Sequence, residues 1–555
     1  MTRDVWRRVA PVRYGYPVPH PLTLARTGRG GPPGRSFLTR PPGGTRLRLT
    51  AVAVLAAVGL AGCVAPKVQD TPDPTGDSST GSPGQAEGGQ SLEQLYAQQV
   101  AWEQCDAYEC ATVQAPLDWD APETGTINLA LRRSVANGSA DQRIGSLLIN
   151  PGGPGASGVG FLDYAVSAMI GKTVTEVYDI VAFDPRGVGQ SSAVDCGDDA
   201  TVDAYLTAEV PLEDQADVEA ARETARAFGE GCLAATGPLL GEVDTVSAVR
   251  DMDLLRAVLG DEQLNFAGFS YGTFLGATYA GLYPENVGRM LLDGALDPSM
   301  SNDDLLVGQA MGFENALRAY VADCQAGSDC PLTGDVESGM EQVAALVDRI
   351  EAKPMDGGGG TLVNSTLAFY GIIRALYDDA SWPFLTTALT EAIRSNTAST
   401  LLQLAYSYLD RTPDGAYLSN AMIAFTAINC LDYPMPARDY DEMVDFAEEM
   451  RAVAPTFGSD FAMAIGCESW PFQSTAERAP IAAPGAAPIL VVGTTGDPAT
   501  PYKWSVALAE QLESGTLLTW EGEGHTAYGR SNDCVARAVE GYLVDGTVPE
   551  DGLTC

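Results

Sequence analysis

Short apolar runs that end in turns containing glycine or aspartate recur in the first half of the chain. They lie at residues 144–150, 178–184, 264–267 and 289–293. Between the second and third runs, residues 244–259 place apolar side chains at the spacing of one helix face. Apolar strands that alternate with helices are typical of parallel sheets covered on both faces. The pattern therefore predicts an α/β fold with a mostly parallel sheet.

A different pattern occupies residues 299–480, where helical periodicity replaces the apolar strand runs. The helix-like stretches lie at residues 303–323, 338–352, 366–378, 384–407 and 440–453. The strand pattern then returns at residues 488–493 and 516–520. We interpret 299–480 as a mainly helical cap inserted into an α/β core that residues 92–298 and 481–555 form together.

Residues 1–62 are typical of an export leader. Two arginines precede an apolar run that ends at Cys63, and this run is too short for a membrane span. Residues 60–63 resemble a bacterial lipobox, in which the cysteine becomes the lipidated first residue after cleavage. Residues 63–91 are rich in proline, glycine and serine, which predicts a flexible tether. We therefore expect a lipoprotein on the outer face of the cell membrane, or a secreted protein of the cell envelope.

Charge and cysteine content narrow the classes of function. The chain has a net charge of −40, although its leader is rich in arginine. Such acidity repels nucleic acids, which argues against a nucleic-acid partner. Apart from Cys63, ten of the eleven cysteines remain, and an even number in an exported chain favours disulfides over metal sites. Local pairing predicts Cys105–Cys110, Cys196–Cys232, Cys324–Cys330, Cys430–Cys467 and Cys534–Cys555.

The pattern G-x-S-x-G, with Ser270 between Gly268 and Gly272, lies where a predicted strand meets a helix. A serine on such a tight turn has a strained backbone, and side chains two residues to either side would collide, so glycine fits there. The turn presents the hydroxyl beside the free N–H groups of a helix N-terminus, which favour developing negative charge. Ser270 is therefore the candidate nucleophile.

A candidate acid and a candidate base follow the two returning strands. Asp497 comes just after the first of them and His525 just after the second, and the carboxyl ends of parallel strands meet at one edge of a sheet. The other histidine, His20, lies in the leader, so His525 is the only imidazole of the predicted mature chain. The order Ser270, Asp497, His525 is that of α/β-hydrolases. The imidazole would take the serine proton, and the carboxylate would orient the imidazole.

The sequence leaves alternatives for the acid and the oxyanion site. Asp293 also ends a predicted strand and is the rival acid, with Asp297 as a weaker rival. One oxyanion N–H should come from Tyr271, directly after the nucleophile. The other should come from the glycine-rich loop after residue 150, where we favour Gly153 over Gly152.

One glycine-rich segment, residues 187–192, superficially resembles a dinucleotide loop. It lacks the third glycine and no helix pattern follows it, so we predict no nucleotide cofactor. We expect the neighbouring Asp184 and Arg186 to pair or to cap locally. No cluster of cysteine and histidine indicates a metal site.

Five motifs stand out along the chain: NPGGPGASG (150–158), FDPRGVGQS (183–191), GFSYGTFLG (268–276), GDPATP (496–501) and GHTAYG (524–529). Together they resemble the secreted tripeptidyl aminopeptidases, which are bacterial α/β-hydrolases related to prolyl aminopeptidases. AINCLDYP (427–434) and CESWP (467–471) resemble the C-terminal region of that family. The resemblance spans about residues 92–555.

The resemblance implies hydrolysis of peptides from a free N-terminus through an acyl-enzyme, often with release of tripeptides. Such an enzyme must bind an α-ammonium group. Asp432 and Glu468 are candidates, because they stand beside cysteines in the shared motifs, and a structural role beside a disulfide is the alternative. Two other hypotheses remain: an envelope esterase or lipase that uses the same residues, and a non-catalytic binding protein on a hydrolase scaffold.

Overall fold

The computed structural model describes residues 89–209, 212–462 and 465–555. The predicted leader, the predicted lipidation residue Cys63 and nearly all of the predicted tether lie outside these ranges. The described residues belong to one compact unit. Among them, no helix combines the length and the apolar character needed to cross a membrane.

Ten of the twelve strands in the described residues pair into one large, mixed sheet, and these ten include every strand that the sequence predicts. In chain order, the strands are β1 (Glu103–Cys105), β2 (Tyr108–Pro116), β3 (Thr126–Ser134), β4 (Gly145–Asn150), β5 (Tyr178–Phe183), β6 (Leu264–Phe269), β7 (Val287–Asp293), β8 (Met355–Gly358), β9 (Thr361–Val363), β10 (Ile489–Gly496), β11 (Gly515–Glu523) and β12 (Leu553–Thr554). The order across the sheet is β1-β2-β3-β5-β4-β6-β7-β10-β11-β12. From β5 to β12 all neighbours are parallel, while β1, β2, β3 and β5 pair antiparallel.

Helices cover both faces of this sheet and form the cap. They are α1 (Leu92–Tyr96), α2 (Gly158–Tyr164), α3 (Lys172–Val177), α4 (Asp199–Leu206), α5 (Gln215–Thr236), α6 (Thr245–Leu259), α7 (Tyr271–Leu282), α8 (Asn302–Ala326), α9 (Val336–Ala352), α10 (Ser365–Leu376), α11 (Trp382–Thr390), α12 (Ser399–Tyr408), α13 (Ala421–Asp432), α14 (Tyr440–Val453), α15 (Gly458–Ala462), α16 (Tyr502–Gln511) and α17 (Asp533–Asp545).

The central strands are apolar on both faces because each face packs against helices. In β4, Leu147 and Ile149 belong to the core that contains Val535 and Val539 of α17. Leu148, between them, belongs to the larger core on the opposite face. This alternation is the period of two expected of a strand, and it explains why the sequence shows continuous apolar runs.

The cap helices α8 to α15 lie between β7 and β10 in the chain, and three details differ from the sequence pattern. A short hairpin of β8 and β9 interrupts the helices. The stretch 384–407 is not one helix, because Asn396 takes the left-handed conformation, with φ of 54°, and ends the first part. The pattern also missed α13, whose first turns pack on the glycine-rich loop after β4. There a Cβ on Gly155 would lie 2.3 Å from the Ala421 carbonyl oxygen.

All five cysteine pairs predicted from local spacing are disulfides in the structure. The sequence predicted that Asp184 and Arg186 pair or cap locally. In the structure they do not pair with each other, and each has partners of its own. The Arg186 guanidinium forms a fully buried, two-pronged ion pair with Asp251. The Asp184 carboxylate instead accepts hydrogen bonds around the start of α2, including the Ser157 hydroxyl at 2.7 Å.

Candidate active site

Ser270 lies on the turn between β6 and α7 with φ of 57° and ψ of −127°. This conformation is costly for a residue with a side chain, and a turn of this kind is typical of a nucleophile elbow. The flanking glycines are sterically required. A Cβ on Gly268 would lie 2.3 Å from the Gly272 carbonyl oxygen, and one on Gly272 would lie 2.8 Å from the Asn150 carbonyl oxygen. The structure therefore shows the close packing that the G-x-S-x-G pattern predicts.

His525 and Asp497 meet at the same edge of the sheet. The Nδ1 atom of His525 lies 2.9 Å and 3.0 Å from the two carboxylate oxygens of Asp497. A Cβ on Gly294, the residue after β7, would lie 3.3 Å from Cε1 of the imidazole. Because the backbone N–H of Ser270 donates to the Asp293 carbonyl oxygen at 2.9 Å, the imidazole lies beside the strand end that also holds the serine turn.

Thr500 is a member of this site that sequence reasoning missed. Its hydroxyl donates to one Asp497 oxygen at 3.0 Å and lies 3.2 Å from Nδ1 of His525. The backbone N–H groups of Ala499 and Thr500 donate to the other Asp497 oxygen. The only signal in the sequence is local, a threonine three residues after the aspartate. Thr500 thus helps to hold the carboxylate in the orientation that faces the imidazole.

We expect Thr500→Val to lower kcat about tenfold, because the carboxylate loses one charge-assisted hydrogen bond while the shape of the side chain is kept. Steady-state kinetics on any cleaved substrate will measure this. Thr500→Ser retains the hydroxyl and serves as the control, with activity within about threefold of the parent. Equal losses in both variants would show that the hydroxyl is not what matters.

Asp293, the rival acid, is fully buried. Its side chain contacts the backbone of the residues that follow His525. Its carboxylate accepts hydrogen bonds from the N–H groups of Ala527 at 3.0 Å and Tyr528 at 2.7 Å. Between these residues and His525, Thr526 takes a left-handed φ of 66°. Burial raises the pKa of Asp293 to about 7, and the neighbouring Asp497 adds to the rise. Asp293 therefore fixes the loop that carries the imidazole, whereas Asp497 contacts the ring. The weaker rival, Asp297, accepts from the side chain of Gln511 instead.

The glycine-rich loop after β4 lies directly against the serine turn. A Cβ on Gly152 would lie 2.8 Å from Cβ of Ser270 and 3.0 Å from the backbone nitrogen of Tyr271. The N–H of Gly152 donates to the side chain of Asn150 at 2.9 Å. Within the described ranges, the N–H groups of Gly153 and Tyr271 have no acceptor. Both amides are thus available for a ligand, while that of Gly152 is already used.

The two carboxylates predicted to bind a substrate N-terminus both have protein partners. Asp432, at the end of α13, accepts from the N–H of Thr245 at 2.8 Å and from its hydroxyl at 2.7 Å. The same hydroxyl contacts the phenol of Tyr271. Glu468 forms an ion pair with Arg222 of α5. Their contact with a substrate ammonium stays a prediction, and the observed contacts are those of residues that join the cap to the core.

The buried carboxyls predict how stability depends on pH. Burial raises the pKa of Asp432, like that of Asp293, to about 7. Between about pH 4 and pH 7 the folded protein keeps these protons and the unfolded chain releases them, so stability falls as pH rises through this window. We expect a lower melting temperature at pH 8 than at pH 5.5 in differential scanning fluorimetry. Asp432→Asn, which does not titrate, should show a smaller difference. An equal or higher melting temperature at pH 8 would contradict the prediction.

A strained serine lies at a strand-to-helix turn of the parallel part of the sheet, and a histidine–aspartate pair lies at the same edge. This combination defines a serine hydrolase of the α/β-hydrolase fold. A family model described as TAP-like protein matches residues 454–555. The serine protease Hip1 of Mycobacterium tuberculosis is 38% identical over 466 residues, which cover 80% of this chain and 87% of that protein. The chain belongs to this TAP-like family of α/β-hydrolases.

Two further relatives cover most of the chain. Carboxylesterase B of Mycobacterium tuberculosis is 37% identical over 83% of this chain and 91% of its own length. The tripeptidyl aminopeptidase of Streptomyces coelicolor is 30% identical over 82% of this chain and 86% of its own length. The family resemblance seen in the sequence motifs is confirmed, and the relatives carry both peptidase and esterase names.

Proposed function

We propose that this protein is a serine peptidase that hydrolyses peptides from a free N-terminus through an acyl-enzyme. Ser270 is its nucleophile, His525 its general base and Asp497 its acid. The observation that carries the proposal is the pair of contacts, 2.9 Å and 3.0 Å long, between Nδ1 of His525 and the Asp497 carboxylate. These contacts require a proton on Nδ1, and they leave Nε2 unprotonated in the neutral ring, ready to accept the serine proton.

The reaction follows from this arrangement. The imidazole takes the hydroxyl proton as Ser270 attacks the scissile carbonyl carbon, and Asp497 stabilises the imidazolium that forms. The imidazolium then protonates the leaving amine, and a water molecule activated by the same imidazole releases the acyl group. The negative oxygen of each tetrahedral intermediate accepts hydrogen bonds from the N–H groups of Gly153 and Tyr271. Both amides lack an acceptor within the described protein, which supports this role.

The peptidase assignment is supported by the names of two relatives and by the cap. Hip1 is named a serine protease and the Streptomyces relative a tripeptidyl aminopeptidase. Cap residues contact the site, since the backbone N–H of His525 donates to the Tyr377 carbonyl oxygen at 2.8 Å. A cap over a serine site limits access and suits the removal of short pieces from chain ends. The N-terminal signal further supports export, with lipidation at Cys63 as the anchor to the membrane.

A second candidate is an envelope carboxylesterase with the same three residues, which the name of carboxylesterase B favours. The two functions are distinguished by the rates of hydrolysis of two sets of substrates. One set is fluorogenic peptide amides of one to four residues, each with a free and with an acetylated N-terminus, and the other is simple acyl esters. The peptidase proposal expects the free tripeptide or tetrapeptide to have the highest kcat/KM. Faster cleavage of acetylated peptides and simple esters would favour the esterase instead.

A further inference from the structure

Helix α13 of the cap packs on the loop that carries one of the two proposed oxyanion amides. A Cβ on Gly155 would lie 2.3 Å from the Ala421 carbonyl oxygen and 2.8 Å from the backbone nitrogen of Phe425. Gly155 stands two residues after Gly153, whose N–H has no acceptor within the described ranges. The same loop contacts the serine turn at Gly152. It therefore lies in contact with both the nucleophile and the first turns of α13.

The start of α13 is anchored to the core by Asn420. The side-chain N–H groups of Asn420 donate to the carbonyl oxygens of Gly187 at 2.9 Å and Val194 at 3.0 Å. Its side-chain oxygen accepts from the N–H of Gly189 at 2.9 Å. Both donors and the acceptor of this amide are thus used on the loop after β5, which fixes the end of α13 that lies nearest the oxyanion loop.

The other end of α13 is connected to the residue that follows the nucleophile. The last residue of the helix, Asp432, accepts from the backbone N–H of Thr245 at 2.8 Å on one oxygen and from its hydroxyl at 2.7 Å on the other. The Thr245 hydroxyl also contacts the phenol of Tyr271, and all three side chains are buried. An ionised carboxylate only accepts and a threonine hydroxyl has one proton, so the phenol donates to Thr245.

A covalent bond holds the same end of the helix. Cys430, two residues before Asp432, is disulfide-bonded to Cys467. Both ends of α13 are therefore attached to other segments, and the contacts of this one helix reach the loop of Gly153 and the side chain of Tyr271. The backbone N–H groups of these two residues are the amides that we assign to the oxyanion.

We propose that α13 positions both oxyanion amides, and that Asp432, acting through Thr245 and the phenol of Tyr271, is a positioning residue for the hydrolytic reaction. This rests on the proposed function, because the N–H groups of Gly153 and Tyr271 must bind the negative oxygen. Oxyanion catalysis depends on donors that are already in place when the charge develops. A small displacement of one amide therefore lowers the rate, since a hydrogen bond weakens steeply as its geometry worsens.

The hydrogen-bonded chain of Asp432, Thr245 and Tyr271 acts without touching the substrate. Its polar atoms are buried and satisfy one another, so its effect passes through the position of the Tyr271 backbone. The negative oxygen exists only as the tetrahedral intermediate forms. Loss of the chain should therefore lower kcat and leave KM nearly unchanged.

The main test is Thr245→Val, which keeps the shape of the side chain and removes the hydroxyl between Asp432 and Tyr271. We expect kcat to fall about 10- to 100-fold and KM to stay within about threefold, on the peptide amide or acyl ester that the parent cleaves fastest. A boronic acid built on the acyl part of that substrate forms a tetrahedral adduct with the serine, and its Ki should rise by a similar factor. Thr245→Ser keeps the hydroxyl and should retain kcat within about threefold of the parent.

Thr456→Val is the matched control for the loss of a buried hydroxyl. Thr456 donates from its backbone N–H and its hydroxyl, each at 3.0 Å, to the carboxylate of Glu314. The variant thus removes the same kind of contact from another part of the cap. We expect its melting temperature to fall as in Thr245→Val, while its kcat stays within about twofold of the parent. Labelling to completion with a fluorophosphonate probe counts the folded active sites in each variant.

A double variant tests whether Thr245 and Tyr271 act as one chain. Tyr271→Phe removes the phenol hydroxyl and keeps both the ring and the backbone N–H. Combined with Thr245→Val, it should change kcat by less than about twofold beyond Thr245→Val alone, because the first substitution has already broken the connection.

Four outcomes would overturn the proposal. Equal losses of kcat in Thr245→Val and Thr456→Val would show that the loss reflects a weakened fold. A raised KM with unchanged kcat would place Thr245 in substrate binding. Losses that multiply in the double variant would show that Thr245 and Tyr271 act separately. Unchanged binding of the boronic acid would separate Thr245 from the oxyanion.

Failure of the proposed function gives a different result. A parent enzyme that hydrolyses the ester but no free peptide would refute the peptidase, and the positioning role is then measured on the ester, because ester hydrolysis forms the same oxyanion. A parent that neither hydrolyses a substrate nor reacts with the probe would overturn both.

Discussion

Replacement of Ser270 by alanine is expected to lower kcat on the order of 10⁴- to 10⁶-fold while the fold remains intact. The hydroxyl is the proposed attacking group, and the oxyanion amides and the binding cleft alone give only a small residual rate. The substitution removes only the hydroxyl group, and the glycines at 268 and 272 still allow the close packing that the turn, with φ of 57° at residue 270, requires. Stability should therefore change little.

Kinetics on the best peptide amide and labelling with a fluorophosphonate probe will measure this effect. The probe should label the parent protein and leave Ser270→Ala unlabelled. Ser157→Ala is a matched control from the same edge of the sheet. Its hydroxyl accepts from Gly160 N and donates to Asp184, so its loss should cost about 1 kcal/mol of stability as a helix N-cap and leave labelling intact. Labelling of Ser270→Ala at the parental rate would exclude Ser270 as the nucleophile.

The second large effect separates the two candidate acids. Asp497→Asn should lower kcat on the order of 10³- to 10⁴-fold, because an amide facing Nδ1 favours the wrong tautomer of His525 and cannot stabilise the imidazolium. Asp293→Asn should lower kcat by about tenfold or less, since that carboxylate contacts the backbone of Ala527 and Tyr528 and not the ring. Its larger effect should be on stability, because an amide group can accept fewer hydrogen bonds in a buried site.

Steady-state kinetics and thermal unfolding of both variants will give this comparison. A loss of kcat in Asp293→Asn as large as that in Asp497→Asn, at equal probe labelling, would show that both carboxyls act on the imidazole. A loss confined to Asp293→Asn would reverse the assignment. The observed contacts favour Asp497, because both of its oxygens lie within 3.0 Å of Nδ1.

Much of the site was predictable because its chemistry is local. The serine turn requires small residues two positions away on each side, so Gly268 and Gly272, together with the apolar run before them and the helix pattern after them, indicate the turn from neighbouring residues. Asp497 and His525 each follow an apolar strand, and in a parallel sheet such positions converge at one edge. Nearest-neighbour pairing of cysteines likewise agreed with all five disulfides.

Prediction was weaker where contacts join distant parts of the chain. The cap helix α13 was missed, and its Asp432 contacts Thr245, 187 residues away. Glu468 pairs with Arg222 at a separation of 246 residues. Such partners leave no periodic signal in the sequence, so a carboxylate near a family motif could not be distinguished from one already neutralised by the protein.

Backbone strain and hydrophobic periodicity act over a few positions, so neighbouring residues determine much of this protein. They indicate the strand–turn positions of Ser270, Asp497 and His525, the order of the core elements and the presence of an inserted cap. Which carboxylates are available to a ligand depends on packing instead. Long-range contacts occupy Asp293, Asp432 and Glu468. Those contacts join segments that are far apart in the chain, so only the tertiary structure shows that these carboxylates already have protein partners.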